Sequence, residues 1–413
     1  MSRELSKEEA PIVSESGESR VELVFPDRRG SDSSKWDTLE SRFGRDDILP
    51  MWVADADYSA PEAVQKALME RARHPVYGYT VYPERYFDAI AHWYRKRFGW
   101  EIEKEWIVPE QGVVISMNVA LGAICEDGDG VIVQTPIYPP FLSSISAHGL
   151  KLLENRLVYR KGRYGIDFDS LERSAREAKV MLLCSPHNPT TRSWSREELE
   201  RISDICREHG VVVLSDEIHS DMVHTGEHIP FGSLEGADAF SMTFNAPSKT
   251  FNIAGLNASY AIIENPELRA RYIQSAHRTG LDNGNCFGIT ALPIAYEEGG
   301  DWLESAKRYV EENIALVHDY LRSHIPQIRA VPTEATFLVW LDCRGLGMCD
   351  GELSSFFIDE ARVGLNEGVS FGSAGSGFMR MNVGCSREMV REALERIRSA
   401  VERSSSRDWR EEF

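Results

Sequence analysis

The 413-residue sequence lacks several features that define other classes of protein. No stretch approaches the run of about 18–20 apolar residues that spans a bilayer, and the first twenty residues have no apolar core of a secretory signal. Cations are outnumbered, with 46 Lys and Arg against 65 Asp and Glu, and the formal net charge is −19. Because nucleic-acid backbones and anionic membranes attract clustered cations, we expect neither as a partner. The expected location is the cytoplasm.

Cysteine is also scarce, with seven widely spaced residues. An odd number with no C-x-x-C pair predicts neither a disulfide framework nor a thiolate zinc site, so we interpret them as core thiols in a reducing compartment. His219, His224 and His228 lie close together in sequence, but their H-x4-H-x3-H spacing matches no common zinc pattern. We therefore predict no metal site.

Short apolar runs alternate with helical patterns from about residue 105 onward. They lie at 131–133, 180–184 and 211–214, with further strand candidates at 240–244 and 258–263. Runs this short and apolar on both faces are typical of parallel strands buried between helices. A capping-box pattern at 195–198 indicates a helix that ends at Gly210. The sequence thus predicts an α/β fold, with a mostly parallel central sheet covered by helices.

The pattern changes after about residue 290. A long helical pattern at 302–324 is followed by a strand candidate at 337–341, a glycine-rich loop at 372–377 and a closing helix at 386–402. We interpret this region as a smaller α+β domain, in which the glycine-rich loop is flexible and positions Arg380.

Three polar signatures follow strand candidates: Pro186-His187-Asn188-Pro189, Asp216-Glu217-Ile218-His219 and Ser248-Lys249-Thr250-Phe251-Asn252. Each is weak alone, because a lysine there is usually a surface residue, an aspartate a helix cap and Asn-Pro a turn. Ligands of open parallel sheets bind at the carboxyl ends of the strands, where all three would meet. Pyridoxal phosphate needs a lysine for its Schiff base, a carboxylate at the ring nitrogen and a donor near the ring oxygen. Lys249, Asp216 and Asn188 match these needs in that order.

The sequence resembles the fold-type I pyridoxal-phosphate enzymes of the class I and II aminotransferase superfamily, and within them the MalY/PatB family of cystathionine β-lyases (C–S lyases). The resemblance covers about residues 49–400. The stretches that carry it are LPMWVADADYSAPEAV (49–64), YGYT (77–80), PEQGVV (109–114), VIVQTPIYPPF (131–141), SPHNPT (185–190), VVVLSDEIHSDMVH (211–224), APSKTFNIAG (246–255) and GFMRMNVGC (377–385).

The resemblance implies a role for each matching position. Lys249 would form the Schiff base and remove the Cα proton of the substrate, and Asp216 would pair with the ring nitrogen. Asn188 and His219 would face the ring oxygen. The remaining candidates for holding the cofactor are Tyr138, which would stack on the ring, and the phosphate contacts Val113, Val114, Ser248 and a tyrosine of the neighbouring subunit, Tyr77 or Tyr79.

Arg380 matches the arginine that holds the substrate carboxylate, with Asn188 and Ala54 as further contacts. The resemblance also implies a homodimer whose active sites are shared between subunits. It implies a large cofactor domain at 49–290 and a discontinuous small domain formed by 35–48 with 291–402. A flexible arm at 1–34 and a loose tail at 403–413 complete the predicted organisation.

The sequence departs from the family pattern at several positions. Ser185 replaces the usual Asn, Thr191 the usual Gly, and Ala56 and Tyr58 the commoner Met and Phe. We expect these four residues to lie around the substrate cavity and to affect substrate choice. Asn257 stands where many aminotransferases have a phosphate-binding arginine, a change shared with the lyase family.

The expected function is cleavage of cystathionine or another S-substituted L-cysteine to a thiol, pyruvate and ammonia. An aminotransferase on the same scaffold is an alternative. A biosynthetic relative that acts on a bulky cysteine S-conjugate, by lyase or decarboxylating chemistry, is another, motivated by the four substitutions. A non-catalytic regulatory protein that keeps the fold is a minor alternative, since Lys249, Asp216, Asn188 and Arg380 are all present.

Overall fold

The structure is a computed structural model that describes residues 21–280 and 283–406. The parts of the predicted arm and tail at 1–20 and 407–413 lie outside the described residues. None of the helices in the described ranges is long and apolar enough to cross a membrane.

The first part of the chain carries most of the parallel strands. Its helices and strands are α1 (Leu39–Phe43), β1 (Leu49–Pro50), α2 (Glu62–Arg73), α3 (Glu84–Phe98), β2 (Ile107–Glu110), α4 (Val113–Ile124), β3 (Gly130–Val133), α5 (Pro139–Ala147), β4 (Lys151–Glu154), β5 (Val158–Arg160), β6 (Arg163–Gly165), α6 (Phe168–Ala175), β7 (Ala178–Cys184), α7 (Arg196–His209) and β8 (Val212–Asp216).

The second part completes the central sheet and adds a smaller one. Its elements are β9 (Ser241–Asn245), α8 (Pro247–Thr250), β10 (Ser259–Ile262), α9 (Pro266–Thr279), α10 (Cys286–Glu298), α11 (Gly300–His324), β11 (Arg329–Ala330), β12 (Leu338–Asp342), α12 (Asp350–Ser355), β13 (Val363–Gly364), β14 (Asn366–Glu367), β15 (Phe378–Asn382) and α13 (Arg387–Ser406). A π-helical turn, Phe356–Ala361, follows α12.

The central sheet has seven strands in the order β2-β10-β9-β8-β7-β3-β4. Neighbouring strands from β9 to β4 run parallel, whereas β10 is antiparallel to both β9 and β2. Side chains of β7 alternate between two apolar clusters: Val180 and Leu182 pack in one, Met181 and Leu183 in the other. The strand is thus buried on both faces, as its short apolar run indicates. The predicted α/β fold class is confirmed.

The helix between β7 and β8 begins as the sequence predicts. Ser195 Oγ accepts a hydrogen bond from the Glu198 backbone N–H, and the Glu198 carboxylate accepts one from the Ser195 N–H. This capping box satisfies two amides that the first turn leaves unpaired. The helix ends at His209, and Gly210 follows it in the left-handed conformation (φ 67°), where the sequence predicts the end.

The smaller sheet has the order β11-β12-β15-β14 and carries Arg380 on β15, where it pairs with Trp340 of β12. The short parallel pair of β1 and β13 aligns Pro50 with Gly364 and so joins the segment before residue 52 to the same region. The division into a large domain at 49–290 and a small domain from 35–48 with 291–402 stays a prediction.

Three segments differ from what the sequence indicates. Within the predicted loose arm, the Ser59 N–H donates to the Val24 carbonyl, and Phe25 packs edge-on against Tyr58. In the glycine-rich loop, a Cβ on Gly375 would lie 2.0 Å from the Gly368 oxygen, so this loop is closely packed against its own backbone. The closing helix is described to Ser406, which lies inside the predicted tail.

Candidate active site

The carboxyl ends of three adjacent parallel strands bring the polar signatures together. Cys184, the last residue of β7, aligns with Asp216, the last residue of β8, and Asp216 aligns with Phe244 of β9. Asn188 follows the first strand by four residues and Lys249 follows the third by four. All of these except Phe244 line one cavity of about 270 Å³. The structure thus brings residues of all three signatures together at one sheet edge.

Lys249 lies on α8, a single turn that Pro247 opens. Its side chain is partly buried, and Nζ donates to the Ala54 carbonyl oxygen at 2.7 Å. The next residue, Thr250, donates from Oγ1 to the buried Asp221 carboxylate at 2.9 Å, and the indole N–H of Trp93 donates to the same carboxylate at 3.2 Å. Burial lowers the pKa of the Lys249 amine, because the charged form loses its hydration.

Asp216 and His219 present buried polar atoms to the cavity. Burial raises the pKa of the Asp216 carboxyl to about 7, although the Ile218 N–H, which donates to Oδ1 at 3.1 Å, lowers it in part. Burial also lowers the pKa of the His219 imidazole to about 3, which favours the neutral ring. Within the part of the chain that the structure describes, His219 Nδ1 has no hydrogen-bond partner. Such groups need a ligand that completes their hydrogen bonds.

The N-terminus of α4 opens into the same cavity. Gly112, Val113 and Val114 line it, and in the described ranges no side chain caps this helix start. Free backbone N–H groups and the helix dipole make such a position favourable for an anion. Asn257 also lines the cavity. The wall therefore has a neutral amide at the position where many aminotransferases have a phosphate-binding arginine.

Arg380 borders the cavity through Asn188. Its guanidinium donates to Asn188 Oδ1 at 3.0 Å, to the Trp52 carbonyl at 3.0 Å and to Asn366 Oδ1 at 2.8 Å, and it stacks over Phe371. The side chain is buried, and this burial lowers its pKa to about 10. In the described ranges no carboxylate lies within ion-pair distance of it. A buried cation without a counter-ion is costly, which indicates a site for an anionic group.

Residues 52–58, which we call the strap, run between the two cations. Trp52 and Ala54 offer their carbonyls to Arg380 and Lys249, respectively. Asn382 donates to the carbonyls of Val53 and Asp55. One strap of backbone thus accepts hydrogen bonds from both cations of the site.

The cavity contains most of the residues that the resemblance indicates. Those that line it are Ala54, Val113, Val114, Tyr138, Asn188, Asp216, His219, Ser248 and Lys249. Tyr77 and Tyr79 do not: the Tyr77 hydroxyl donates to the Ala72 carbonyl, and Tyr79 is 100% exposed. Their predicted contact with the neighbouring subunit stays a prediction.

Other residues of the wall were not singled out by sequence reasoning. They are Gln111, Ile115, Cys184 and Ile218. Each lies within or directly beside a motif that carried the resemblance. Closeness in sequence to a recognised motif residue is therefore the signal that could have found them. Ile218 also contributes the backbone N–H that Asp216 accepts.

The four substituted positions do not line the described cavity. Ser185, Thr191, Ala56 and Tyr58 are absent from its wall, and their predicted effect on substrate choice stays a prediction. Thr191 turns its hydroxyl to the Pro332 carbonyl at 3.2 Å, and Tyr58 packs edge-on against Trp302. The side chains of Thr191 and Tyr58 are thus used in a loop contact and in packing, respectively.

The neighbouring histidines have structural partners. His228 Nε2 is 2.9 Å from the buried Glu217 carboxylate, which also accepts from the Ser215 hydroxyl and the Phe231 N–H. His224 contacts Glu311 and the Thr336 carbonyl. Among residues 21–280 and 283–406, no group of three or more His, Cys, Asp or Glu is placed to hold a metal ion.

Known proteins match this chain over nearly its whole length. The model of the family described as "Aminotransferase class I and II" matches residues 48–397. PatB of Bacillus subtilis (strain 168), named a cystathionine beta-lyase, is 43% identical over 379 residues, which cover 91% of this chain and 98% of PatB. MalY of Escherichia coli (strain K12) is 33% identical over 380 residues, which cover 91% and 97%.

A solved structure agrees with these matches. The crystal structure of cystalysin from Treponema denticola, which contains a pyridoxal 5'-phosphate cofactor, has a TM-score of 0.89 and 35% identity, covering 92% of this chain and 98% of that one. The resemblance that the motifs indicated is confirmed. The chain belongs to the class I and II aminotransferase family, in its MalY/PatB-type group.

Proposed function

We propose that this protein is a pyridoxal-phosphate-dependent C–S β-lyase that cleaves cystathionine or another S-substituted L-cysteine to a thiol, pyruvate and ammonia. One observation carries the proposal: Lys249 lines a single cavity with Asp216 and Asn188, and Asn188 accepts a hydrogen bond from Arg380, a buried cation without a counter-ion among the described residues. This arrangement suits an amino acid, whose carboxylate and Cα need an arginine and a base, respectively.

The residues of the cavity fit the cofactor. His219 Nδ1 is buried without a partner, Asp216 is a buried carboxyl, and the uncapped N-terminus of α4 can receive a phosphate. Lys249 would hold the aldehyde carbon, Asp216 the ring nitrogen, and Asn188 with His219 the ring oxygen. Tyr138 would lie on the ring, and Val113, Val114 and Ser248 would bind the phosphate. When bound, pyridoxal phosphate supplies a ring that accepts the electron pair released at the substrate Cα.

Arg380 and Lys249 divide the work on the substrate. Arg380 can donate to a carboxylate from Nε, because this buried atom makes no hydrogen bond among the described residues. Its Nη1 and Nη2 are held by Asn188 and by the strap, respectively. Asn188 and the backbone of Ala54 would add contacts to the same carboxylate. Lys249 takes the Cα proton as a neutral amine, a form that burial favours. Holding the Cα–H bond in line with Nζ is an orientation effect.

The curated relatives support the lyase over the aminotransferase. PatB carries the name of a cystathionine beta-lyase at 43% identity. The family name, by contrast, covers aminotransferases, which is the specific observation that favours the second candidate. The two differ in what they release: the lyase yields pyruvate without a second substrate.

We also propose a homodimer and a cytoplasmic location. Tyr77 and Tyr79 lie on an exposed stretch with Val76 and Val81, an apolar surface that suits a subunit contact. All seven cysteines are free thiols, as suits a reducing compartment.

The test is to incubate the purified holoenzyme with cystathionine, without any 2-oxo acid, and to follow pyruvate with lactate dehydrogenase. Steady pyruvate release supports the lyase. Pyruvate that depends on an added 2-oxo acid, or that is absent across a panel of S-substituted cysteines graded by size, contradicts it. A panel in which only large conjugates react would favour the biosynthetic relative.

A further inference from the structure

The segment before the strap is tied to it by an ion network. Arg28 donates from both terminal nitrogens to the Asp55 carboxylate, at 3.0 and 2.7 Å, and from Nη1 to Asp57 Oδ1 at 2.8 Å. The same nitrogen donates to the Ala56 carbonyl at 3.0 Å. Lys35, with no exposed surface, donates to the other oxygen of Asp57 at 2.7 Å. Two cations from residues 28–35 therefore neutralise two carboxylates of the strap.

Burial makes this network stronger than a surface ion pair. The side chain of Arg28 is 21% exposed, that of Asp55 19% and that of Asp57 8%. Exposed pairs contribute little, whereas removing one partner of a buried pair leaves an uncompensated charge. The bidentate contact with Asp55 also fixes the orientation of both side chains. Loss of Arg28 should therefore disturb the strap more than loss of an exposed arginine.

The strap is held on its other side by residues of the site. Asn252, three residues after Lys249, donates to the Ala56 carbonyl at 3.0 Å and accepts from the Ala56 N–H at 3.1 Å. Asn382, two residues after Arg380, donates to the Val53 and Asp55 carbonyls. The strap thus lies between Arg28 and the two active-site cations, and Asp55 is its charged link to both sides.

We propose that Arg28 is a positioning residue of the active site: through Asp55 and Asp57 it holds the strap so that the Ala54 carbonyl meets Lys249 and the Trp52 carbonyl meets Arg380. It also neutralises the carboxylate of Asp55, which is the charged group of the strap that acts on the Lys249 amine. The proposal rests on the proposed function only for its kinetic consequences.

The charge of Arg28 provides a second measurement that is independent of strap exchange: the pH at which Lys249 loses its proton. The charged groups that act on the Lys249 amine are Asp55 of the strap, Arg380 of β15 and Asp216 of β8. The other titratable side chains of the cavity wall, those of His219, Tyr138 and Cys184, are neutral. Asp55 favours the protonated amine, and Arg28 offsets it. Without Arg28, Lys249 should hold its proton to a higher pH.

The experiment compares Arg28→Gln, Arg28→Lys and the control Arg29→Gln. Arg29 is the next residue along, but it is exposed and pairs with exposed Asp27. Hydrogen exchange of the amides at 52–58 is measured by mass spectrometry, in the apo and holo proteins. The rate at which apo protein captures pyridoxal phosphate is followed against pH, because only the neutral Lys249 amine reacts with the aldehyde. Neither measurement needs lyase turnover, so both remain informative if the proposed function fails.

We expect Arg28→Gln to speed exchange across the strap at least about tenfold. The midpoint of the pH profile for cofactor capture should move up by roughly 0.5–1 unit. In kinetics, kcat should fall and KM should rise together, because both cations lose a fixed carbonyl. Arg28→Lys keeps the charge without the fork, so it should speed exchange while leaving the midpoint near that of wild type. Arg29→Gln should match wild type throughout.

Two outcomes overturn the proposal. One is strap exchange in Arg28→Gln that equals that of Arg29→Gln. The other is faster exchange with an unchanged capture midpoint and unchanged kcat and KM, which would leave Arg28 a purely structural residue. If Arg28→Gln does not fold, Arg28→Lys decides: faster strap exchange with a retained midpoint supports the proposal, and wild-type exchange overturns it.

Discussion

Lys249 and Arg380 donate hydrogen bonds to carbonyl oxygens only two residues apart, those of Ala54 and Trp52. The two side chains come from α8 and β15, which are more than 120 residues apart in sequence. A shift of the backbone between Trp52 and Ala54 would therefore move the acceptors of both cations together. The proposed carboxylate site, Arg380, and the proposed proton acceptor, Lys249, therefore depend on one short segment.

Replacement of Lys249 by alanine should abolish turnover while leaving the fold intact. The variant loses the proposed Schiff-base partner and the proposed base for the Cα proton, so kcat should fall by at least about 10³-fold. Stability should not fall, because a buried amine is removed. Pyruvate release and the near-ultraviolet circular dichroism spectrum measure the two effects. The exposed Lys151, paired with Glu177, provides the control Lys151→Ala, which should behave as wild type.

Replacement of Arg380 by lysine should weaken substrate binding more than it slows chemistry. Lysine cannot donate to Asn188, Asn366 and the Trp52 carbonyl at once, because it lacks the planar fork. We expect KM for an S-substituted cysteine to rise by about 10–100-fold with a smaller change in kcat. Arg344→Lys, at an exposed arginine that pairs with Asp342, is the matched control. An unchanged KM in Arg380→Lys would remove Arg380 from the substrate site.

Asp216 should make the stability of the apo protein fall as the pH rises. In the unfolded chain the Asp216 carboxyl has its usual pKa of 3.8, whereas burial raises this pKa to about 7 in the folded protein. The folded state therefore binds more protons between these values, and stability is lost across that window by up to about 4 kcal/mol. Asp216→Asn should lose less stability than wild type over the same window.

Urea unfolding of both apo proteins at several pH values from 4 to 8 measures this difference. Parallel curves for the two proteins would show that Asp216 titrates in the folded state as it does in the unfolded one. In the holoenzyme the window should narrow, since a cation at the ring nitrogen would favour the ionised carboxylate.

Variants at Thr191 measure how much stability a Cβ atom costs in the left-handed region. Its φ is +59°, a conformation that glycine adopts without strain. Thr191→Gly and Thr191→Ala both lose the hydroxyl contact with Pro332, but only alanine keeps a Cβ. We expect the glycine variant to be the more stable by about 1–2 kcal/mol in urea unfolding. At Thr190 the order should reverse, because this neighbour does not have a positive φ.

A shared active site predicts that two inactive variants complement one another. Lys249→Ala and the double variant Tyr77→Ala/Tyr79→Ala are coexpressed, so that mixed dimers form. Each mixed dimer would have one site with all changes and one with none, which gives about a quarter of wild-type activity overall. Lys249→Ala mixed with Asp216→Asn is the control and should give no gain, because both residues line the cavity of one chain. No gain in the test mixture would contradict the sharing.

Much of the site could be predicted from the sequence because its parts follow apolar strands. Asp216 ends β8, and Asn188 and Lys249 each follow a strand by four residues. Parallel strands in register place such residues side by side, so the pattern of apolar runs carries geometric information. The direction of β10 was not predictable in this way, since an apolar run looks the same in either orientation.

The strap network was not predictable for a different reason. Arg28 and Lys35 lie in a stretch rich in charge and poor in periodicity, which resembles a solvated segment. Their partners, Asp55 and Asp57, follow 20–30 residues later in a loop, where no period connects them. The same holds for Ser185 and Thr191, whose motif placed them near the site but could not show which way their side chains turn.

The hydrogen bond between Thr250 and Asp221 has a consequence for which substrates can react. It holds the turn of α8 in place, so the Cα of Lys249 stays fixed when the side chain of Lys249 moves. Nζ therefore sweeps an arc about a fixed centre, with a radius set by four methylene groups. A molecule can therefore bind in the cavity without being deprotonated, if its Cα lies outside that arc. The distance that Nζ can reach then selects substrates, in addition to binding affinity.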